Sequence, residues 1–203
     1  SDDSFLAWGF FTEILQRVEY MEPYAIAPMA ERMLADDPKL KAEFEQKVVF
    51  ENGRLTANAD RATYVEAQGL LKLRPNPTEP RRRSTVNSGD FFVDSPDIDI
   101  DLNTENLLAV GDVKTSLVRK SASGAKSATG GLFAGSEPIR GAAAKLDYRK
   151  DTGKATYTGA PKARALLQQG DTRMFANQLV FEEGANRLKG TGDVDSSIPM
   201  TSI

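Results

Sequence analysis

Ile139-Arg140-Gly141-Ala142-Ala143-Ala144-Lys145-Leu146-Asp147-Tyr148 changes phase halfway along. Ile139, Gly141 and Ala143 alternate at period two, the signature of a strand with one buried face. Leu146 and Tyr148 also alternate, but on the other parity. A one-residue slip turns every side chain to the opposite face, so a bulge or corner must separate two short strands here.

The same phase change returns three more times. Leu55, Ala57 and Ala59 give way to Ala62 and Tyr64; Phe91, Val93 and Ser95 give way to Ile98 and Ile100; Thr172, Met174 and Ala176 give way to Leu179 and Phe181. Past each centre comes an apolar residue at a fixed distance (Leu71, Leu107, Ala155, Leu188), with turn formers such as Asn103, Asp151-Thr152-Gly153 and Glu183-Gly184 between. Each copy closes on a proline or glycine, giving the sets Ala59/Tyr64/Pro75, Ser95/Ile100/Gly111, Ala143/Tyr148/Gly159 and Ala176/Phe181/Gly192. A spacing that survives changes of residue type implies stacked units, each burying its apolar face only against its neighbours. The expected unit is a bent β-hairpin, and the expected fold is a mainly β twisted jellyroll or solenoid.

Composition narrows the chemistry. The chain has 203 residues, 40% of them apolar, which suffices for a core without staples. It has no cysteine and no histidine. Disulfides and thiolate metal sites are excluded, and the commonest general base and zinc ligand is missing. Carboxylates are abundant, but none is paired with a nucleophile on a recognisable catalytic turn, so no enzymatic activity and no cofactor are expected.

The net charge is −3. The one dense basic cluster, Arg81-Arg82-Arg83, lies in a proline-rich stretch and lacks the interleaved aromatics of a nucleic-acid surface, so it is read as a solvated loop and no nucleic-acid partner is expected. Asp94, Asp97, Asp99 and Asp101 have the oxygen ligands that calcium wants, but alternation with Ile98, Ile100 and Leu102 explains them as the wet face of a strand. Gly124-Ala125-Lys126-Ser127 resembles the end of a phosphate-binding loop without the upstream glycine, and is discounted. It belongs to a long Ser/Ala/Gly/Lys segment expected to project as a mobile insertion.

The first residues read differently. Phe10, Ile14, Leu15 and Val18 share a helical face, as do Met29, Met33 and Leu34, and Asp36 or Asp37 before Pro38 is a plausible cap for a last helix through Lys47. The expected organisation is a helical extension over 1–47, a β domain over 48–197 with flexible loops near 75–88 and 119–137, and a tail over 198–203. The apolar run from Phe5 to Phe11 is too short to cross a bilayer, and no basic leader precedes it, so a targeting segment was removed or never existed.

From about Val48 onward the chain resembles the OstA-like family of lipopolysaccharide transport proteins, to which LptA and LptC belong. The resemblance rests on Leu146-Asp147-Tyr148 with Ala155-Thr156-Tyr157-Thr158-Gly159, and on Met174-Phe175-Ala176-Asn177 with Leu188-Lys189-Gly190-Thr191-Gly192-Asp193-Val194. It implies a β-jellyroll in the periplasm that joins similar domains end to end and carries lipopolysaccharide or a related lipid along a greasy interior. Separately, Asp3-Ser4-Phe5-Leu6-Ala7-Trp8-Gly9-Phe10-Phe11, Glu19-Tyr20 and the stretch Met29 to Phe44 resemble the non-catalytic tail of some bacterial zinc carboxypeptidases. Without histidine, peptidase activity is not carried over, and the junction near Gln46 to Phe50 reads as a fusion.

Lipid transport also has a physical rationale, since an acyl chain gains about 0.8 kcal/mol per methylene removed from water. The inward positions Leu55, Ala57, Ala59, Phe91, Val93, Ile139, Gly141, Ala143, Met174 and Ala176 are the candidate lipid contacts. The small residues among them either leave room for a trough or close a dry core. A second reading is a structural adaptor that joins other OstA-like domains through unpaired edge strands without binding lipid.

Overall fold

The structure, a computed structural model, describes residues 18–19, 41–118, 133, 137–185 and 187–198. Its strands are β1 (Val18–Glu19), β2 (Lys41–Asn52), β3 (Leu55–Val65), β4 (Leu70–Arg74), β5 (Ser84–Ser88), β6 (Phe91–Ser95), β7 (Asp97–Asp101), β8 (Asn106–Leu117), β9 (Ile139–Arg149), β10 (Lys154–Thr158), β11 (Ala165–Gln169), β12 (Thr172–Ala176), β13 (Gln178–Glu182), β14 (Arg187–Thr191) and β15 (Asp195–Ser197). All pairings are antiparallel.

The long strands build two layers. In β3, residues 55–58 pair with β5 while residues 61–65 pair with β4. In β9, residues 140–142 pair with β11 while residues 145–149 pair with β10. In β8, residues 106–110 face β7 and residues 114–117 face β6. One layer therefore runs β2-β3-β4-β7-β8-β9-β10-β13-β14, and the other runs β2-β3-β5-β6-β8-β9-β11-β12-β15, with the long strands crossing from one to the other at a corner. The phase changes read from sequence fall at these corners, and the four expected hairpins appear as β3/β4, β6–β8, β9/β10 and β12–β14.

Contacts across the gap establish that the layers face each other. Thr115 and Tyr157 hydroxyls, from opposite layers, are 3.0 Å apart, and the Phe91 and Tyr148 rings have centroids 4.8 Å apart. The core between them includes Ile98, Ile100, Leu146 and Leu179, each fully buried.

Two bends carry a device that the sequence reading missed. Gly111-Asp112 and Gly192-Asp193 all have positive φ, costly for an aspartate; at the first pair the β8–β9 register shifts by a bulge. An arginine from just before the strand next but one, β5 or β11, holds each bend. Arg83 donates to the Asp112 carbonyl and side chain and to the Asp94 carboxylate and carbonyl. Arg164 donates to the Asp193 carbonyl at 3.2 Å and lies 3.5 Å from its carboxylate. Both arginines precede their aspartate by the same 29 residues. Arg83→Ala should cost about 2 kcal/mol, the scale of charge-assisted hydrogen bonds lost at a half-buried site, and Arg164→Ala less, because Arg164 makes one hydrogen bond where Arg83 makes four, its remaining contacts being longer ones to the Asp193 and Asp195 carboxylates and the Phe175 ring. Paired urea titrations check the order.

These contacts also account for the basic and acidic clusters. Arg82 pairs with Asp60 and Glu79, and Arg74 pairs with Asp97 and Asp99. Arg82 and Arg83 are thus each ion-paired, as are Asp94 of β6 with Arg83 and Asp97 and Asp99 of β7 with Arg74, and no group of three or more metal-ligating side chains occurs among the described residues.

Three expectations need correction. Residues 41–47 are strand, not helix, and Val18 belongs to β1, opposite Phe50. The Lys/Glu/Gln-rich run from Lys41 to Lys47 suits a helix intrinsically, but pairing of β2 with β3 overrides propensity. β2 also continues without a break past the expected boundary at 47/48, bulging between Glu45 and Val48 with Lys47 at positive φ. The rest of the expected helices, and of the carboxypeptidase-like stretch, lie outside the described residues. The loop expected over 75–88 ends early, because Ser84–Ser88 is a strand bonded to β3 on one side and β6 on the other; only Val86 marks it in sequence. Finally, most of 119–137 lies outside the described residues, but Phe133 from that segment is buried in the core rather than projecting.

Candidate functional site

The two layers meet at the corners and end, on the opposite side, in hairpin turns. Between those turns lies a cleft of about 660 Å³. Leu55, Phe91 and Leu117 line it from one layer and Tyr148 from the other, with the Phe91–Tyr148 ring contact across it. The strand pairing brings these residues together: Phe91 is opposite Leu117, which is opposite Ile139 on its other side.

The rim is charged, with Arg54 and Lys150 against Asp90, Glu105 and Glu183. Lys150 lies 3.7 Å from Glu105. Burial raises the pKa of the Tyr148 phenol, and the negative charges of Glu183 and Glu105 push it further up. Tyr148 therefore stays neutral at the mouth.

The expected contacts divide into two groups. Leu55 and Phe91 line the cleft. Ala57, Ala59, Val93, Ile139, Gly141 and Ala176 are buried between the layers, and Ala143 and Met174 are half-buried against that core. Leu117 and the rim charges were missed. Their membership depends on β6 pairing with the far end of β8, a long-range register that no local pattern records.

Deeper in, the small residues do not leave a trough. A Cβ on Gly141 would collide with the Thr115 hydroxyl and lie 2.6 Å from the Tyr157 ring. A Cβ on Gly190 would lie 2.8 Å from the Met174 methyl. In both units a large side chain from one layer occupies the space over a glycine of the other. At the same sequence offset Ala57 is matched with Leu73, and Val93 with Ala109, and all four are fully buried. This row is packed shut, as expected of a close-packed interior.

Tyr157 is the polar exception in the row. Burial pushes its phenol pKa up to about 12, and the Thr115 hydrogen bond opposes part of that shift. The folded-state pKa is raised, so the contribution to stability is intact below pH 10, the ordinary phenol value, and is lost as pH climbs through about 12. The loss amounts to about 3 kcal/mol at about 1.4 kcal/mol per pKa unit. Alkaline unfolding of the parent should therefore steepen across this window and be blunted in Tyr157→Phe, as followed by far-UV circular dichroism.

Comparison with protein-family models finds no match, and a sequence comparison with curated proteins finds none either. Among solved structures, the fold is similar to LptH, the LptA homologous periplasmic component of the conserved lipopolysaccharide transport device from Pseudomonas aeruginosa. The TM-score is 0.54 at 12% sequence identity, over 72% of this chain and 95% of that one. The likeness establishes an LptA-like, mainly β fold.

Proposed function

We propose that the chain binds the acyl part of lipopolysaccharide, or of a related lipid, in the cleft between its two layers, and acts in lipopolysaccharide transport in the periplasm without catalysis or cofactor. The observation that carries this reading is the cleft itself: half-buried Leu117 and Tyr148, backed by the buried Leu55 and Phe91, form its apolar part inside a polar, charged rim at the turn side of an LptA-like fold. Each acyl methylene entering it would gain about 0.8 kcal/mol. A photo-crosslinking residue placed at Leu55, Phe91 or Leu117 should label with purified lipopolysaccharide. One at Phe92, the next residue along β6 and 39% exposed, should not. Equal labelling at Phe92, or none at the cleft positions, would remove the carrier reading.

The adaptor reading has its own support. Among the described residues β14 and β15 each pair on one side only, and both are largely exposed. Val194 and Ile198 beside them are also exposed. A further OstA-like domain added there would extend both layers by strand pairing. Lipopolysaccharide binding separates the two readings, because an adaptor needs none.

A further inference from the structure

We infer that Asn52 is a site of spontaneous deamidation, and that the reaction places a new negative charge on the rim of the cleft. Of the chain's asparagines only Asn52 is followed by glycine. Asn52 ends β2 and pairs with Leu55, so Gly53 and Arg54 form a two-residue turn. Asn52 and Gly53 are both exposed. Gly53 has positive φ, and no atom lies within 4 Å of where its Cβ would be. Its nitrogen is therefore unshielded. In the reaction that nitrogen attacks Cγ of Asn52. The new N–Cγ bond forms as the Cγ–Nδ2 bond breaks, and Nδ2 leaves as ammonia with the proton from the Gly53 amide. Water then opens the cyclic imide at either carbonyl, leaving an aspartyl or isoaspartyl residue at position 52. One amide and one water are consumed, and one acid and one ammonia are produced. Ring closure needs Asn52 to leave its extended conformation, and the exposed end of a hairpin opens at far less cost than the whole domain.

The other described asparagines are each held back. Asn76 precedes Pro77, whose nitrogen carries no proton. Asn58 and Asn87 lie inside β3 and β5, which are paired on both sides. Thr104, which follows Asn103, donates its N–H to the Asp101 carboxylate. The Asn106 side chain accepts from the Lys150 N–H, and Asn177 is packed against Gly192. Asn52 lines the cleft together with Arg54 and Asp90. A carboxylate at position 52 would join Asp90, Glu105 and Glu183 against Arg54 and Lys150, so an anionic lipid would be held less tightly. That consequence rests on the carrier reading above, whereas the reaction itself does not.

The test holds the full chain at mildly alkaline pH and maps its peptides by mass spectrometry at intervals. The mass change from amide to acid should appear at Asn52 before any other described asparagine, together with a more acidic band in native electrophoresis. Asn52→Gln, which keeps a side-chain amide, should delay that band. Asn52→Asp should bind purified lipopolysaccharide about threefold more weakly than Asn52→Gln, the scale of one exposed charge interaction, and the gap should close in high salt. An amide still intact at Asn52 after other described asparagines have reacted overturns the site. Equal affinities of the two variants at low salt overturn the effect on the cleft. A parent that binds no lipopolysaccharide overturns the carrier reading and, with it, the effect on the cleft; the mass spectra decide the site independently.

Discussion

Truncating Leu146 to alanine is expected to lower the free energy of unfolding by about 2–5 kcal/mol. Leu146 is fully buried on β9, with Ala109 of β8 on one side and Tyr157 of β10 on the other. The cavity left behind could not collapse readily, because its walls belong to three paired strands and the facing layer. Leu179 on β13 should behave alike: it too is fully buried, and it flanks Tyr157 from the opposite side. The two leucines share that neighbour, so the double variant should depart from additivity. Leu166→Ala is the contrast, since Leu166 of β11 is only half-buried and its loss should cost less than either. Urea unfolding of the parent and the four variants decides the matter; parent-like stability for Leu146→Ala would mean that the two-layer packing is wrong.

Much of that packing was legible because the signal is local and repeated. The parity change at Ala143 to Leu146 follows from pleat geometry alone, and seeing it four times makes chance a poor explanation. What was not legible depends on partners far along the chain. Lys41 to Lys47 carries residues that suit a helix, and only β3 beside it makes it a strand. Ser84–Ser88 has a single large apolar residue and is a strand because both of its edges are taken. The arginine at position 83 looked like one of three solvated charges, yet its role depends on a bend 29 residues away.

The candidate site divides in the same way. Eight of the ten inward positions are buried and Ala143 and Met174 are half-buried, but a list of residues on a face does not say where that face is open. Gly141 reads as space in the sequence and is filled by Tyr157 in the structure. Leu117 reads as the end of a strand and lies in the cleft. Openness is a property of the two layers together, and among the described residues the cleft places it on the side where the turns are.

That confinement leads to the second large effect expected, on binding. Leu117→Asp should weaken lipopolysaccharide binding by more than tenfold, whereas Val110→Asp should leave it close to the parent value. Both residues lie on β8, so the two variants carry the same added charge on the same strand. Val110 is 42% exposed, whereas Leu117 lines the cleft between Phe91 and Ile139. A carboxylate at Leu117 keeps its hydration shell, denying the acyl chain at least two methylenes of contact, about 1.6 kcal/mol at 0.8 kcal/mol each, and every 1.4 kcal/mol is tenfold in affinity. It also joins a rim where Asp90, Glu105 and Glu183 already outnumber Arg54 and Lys150, which disfavours an anionic lipid further. Matched circular dichroism melts establish that both variants are folded. Equal affinities for the two would argue that lipid does not enter the cleft, and the free edges of β14 and β15 would then become the place to look for a partner.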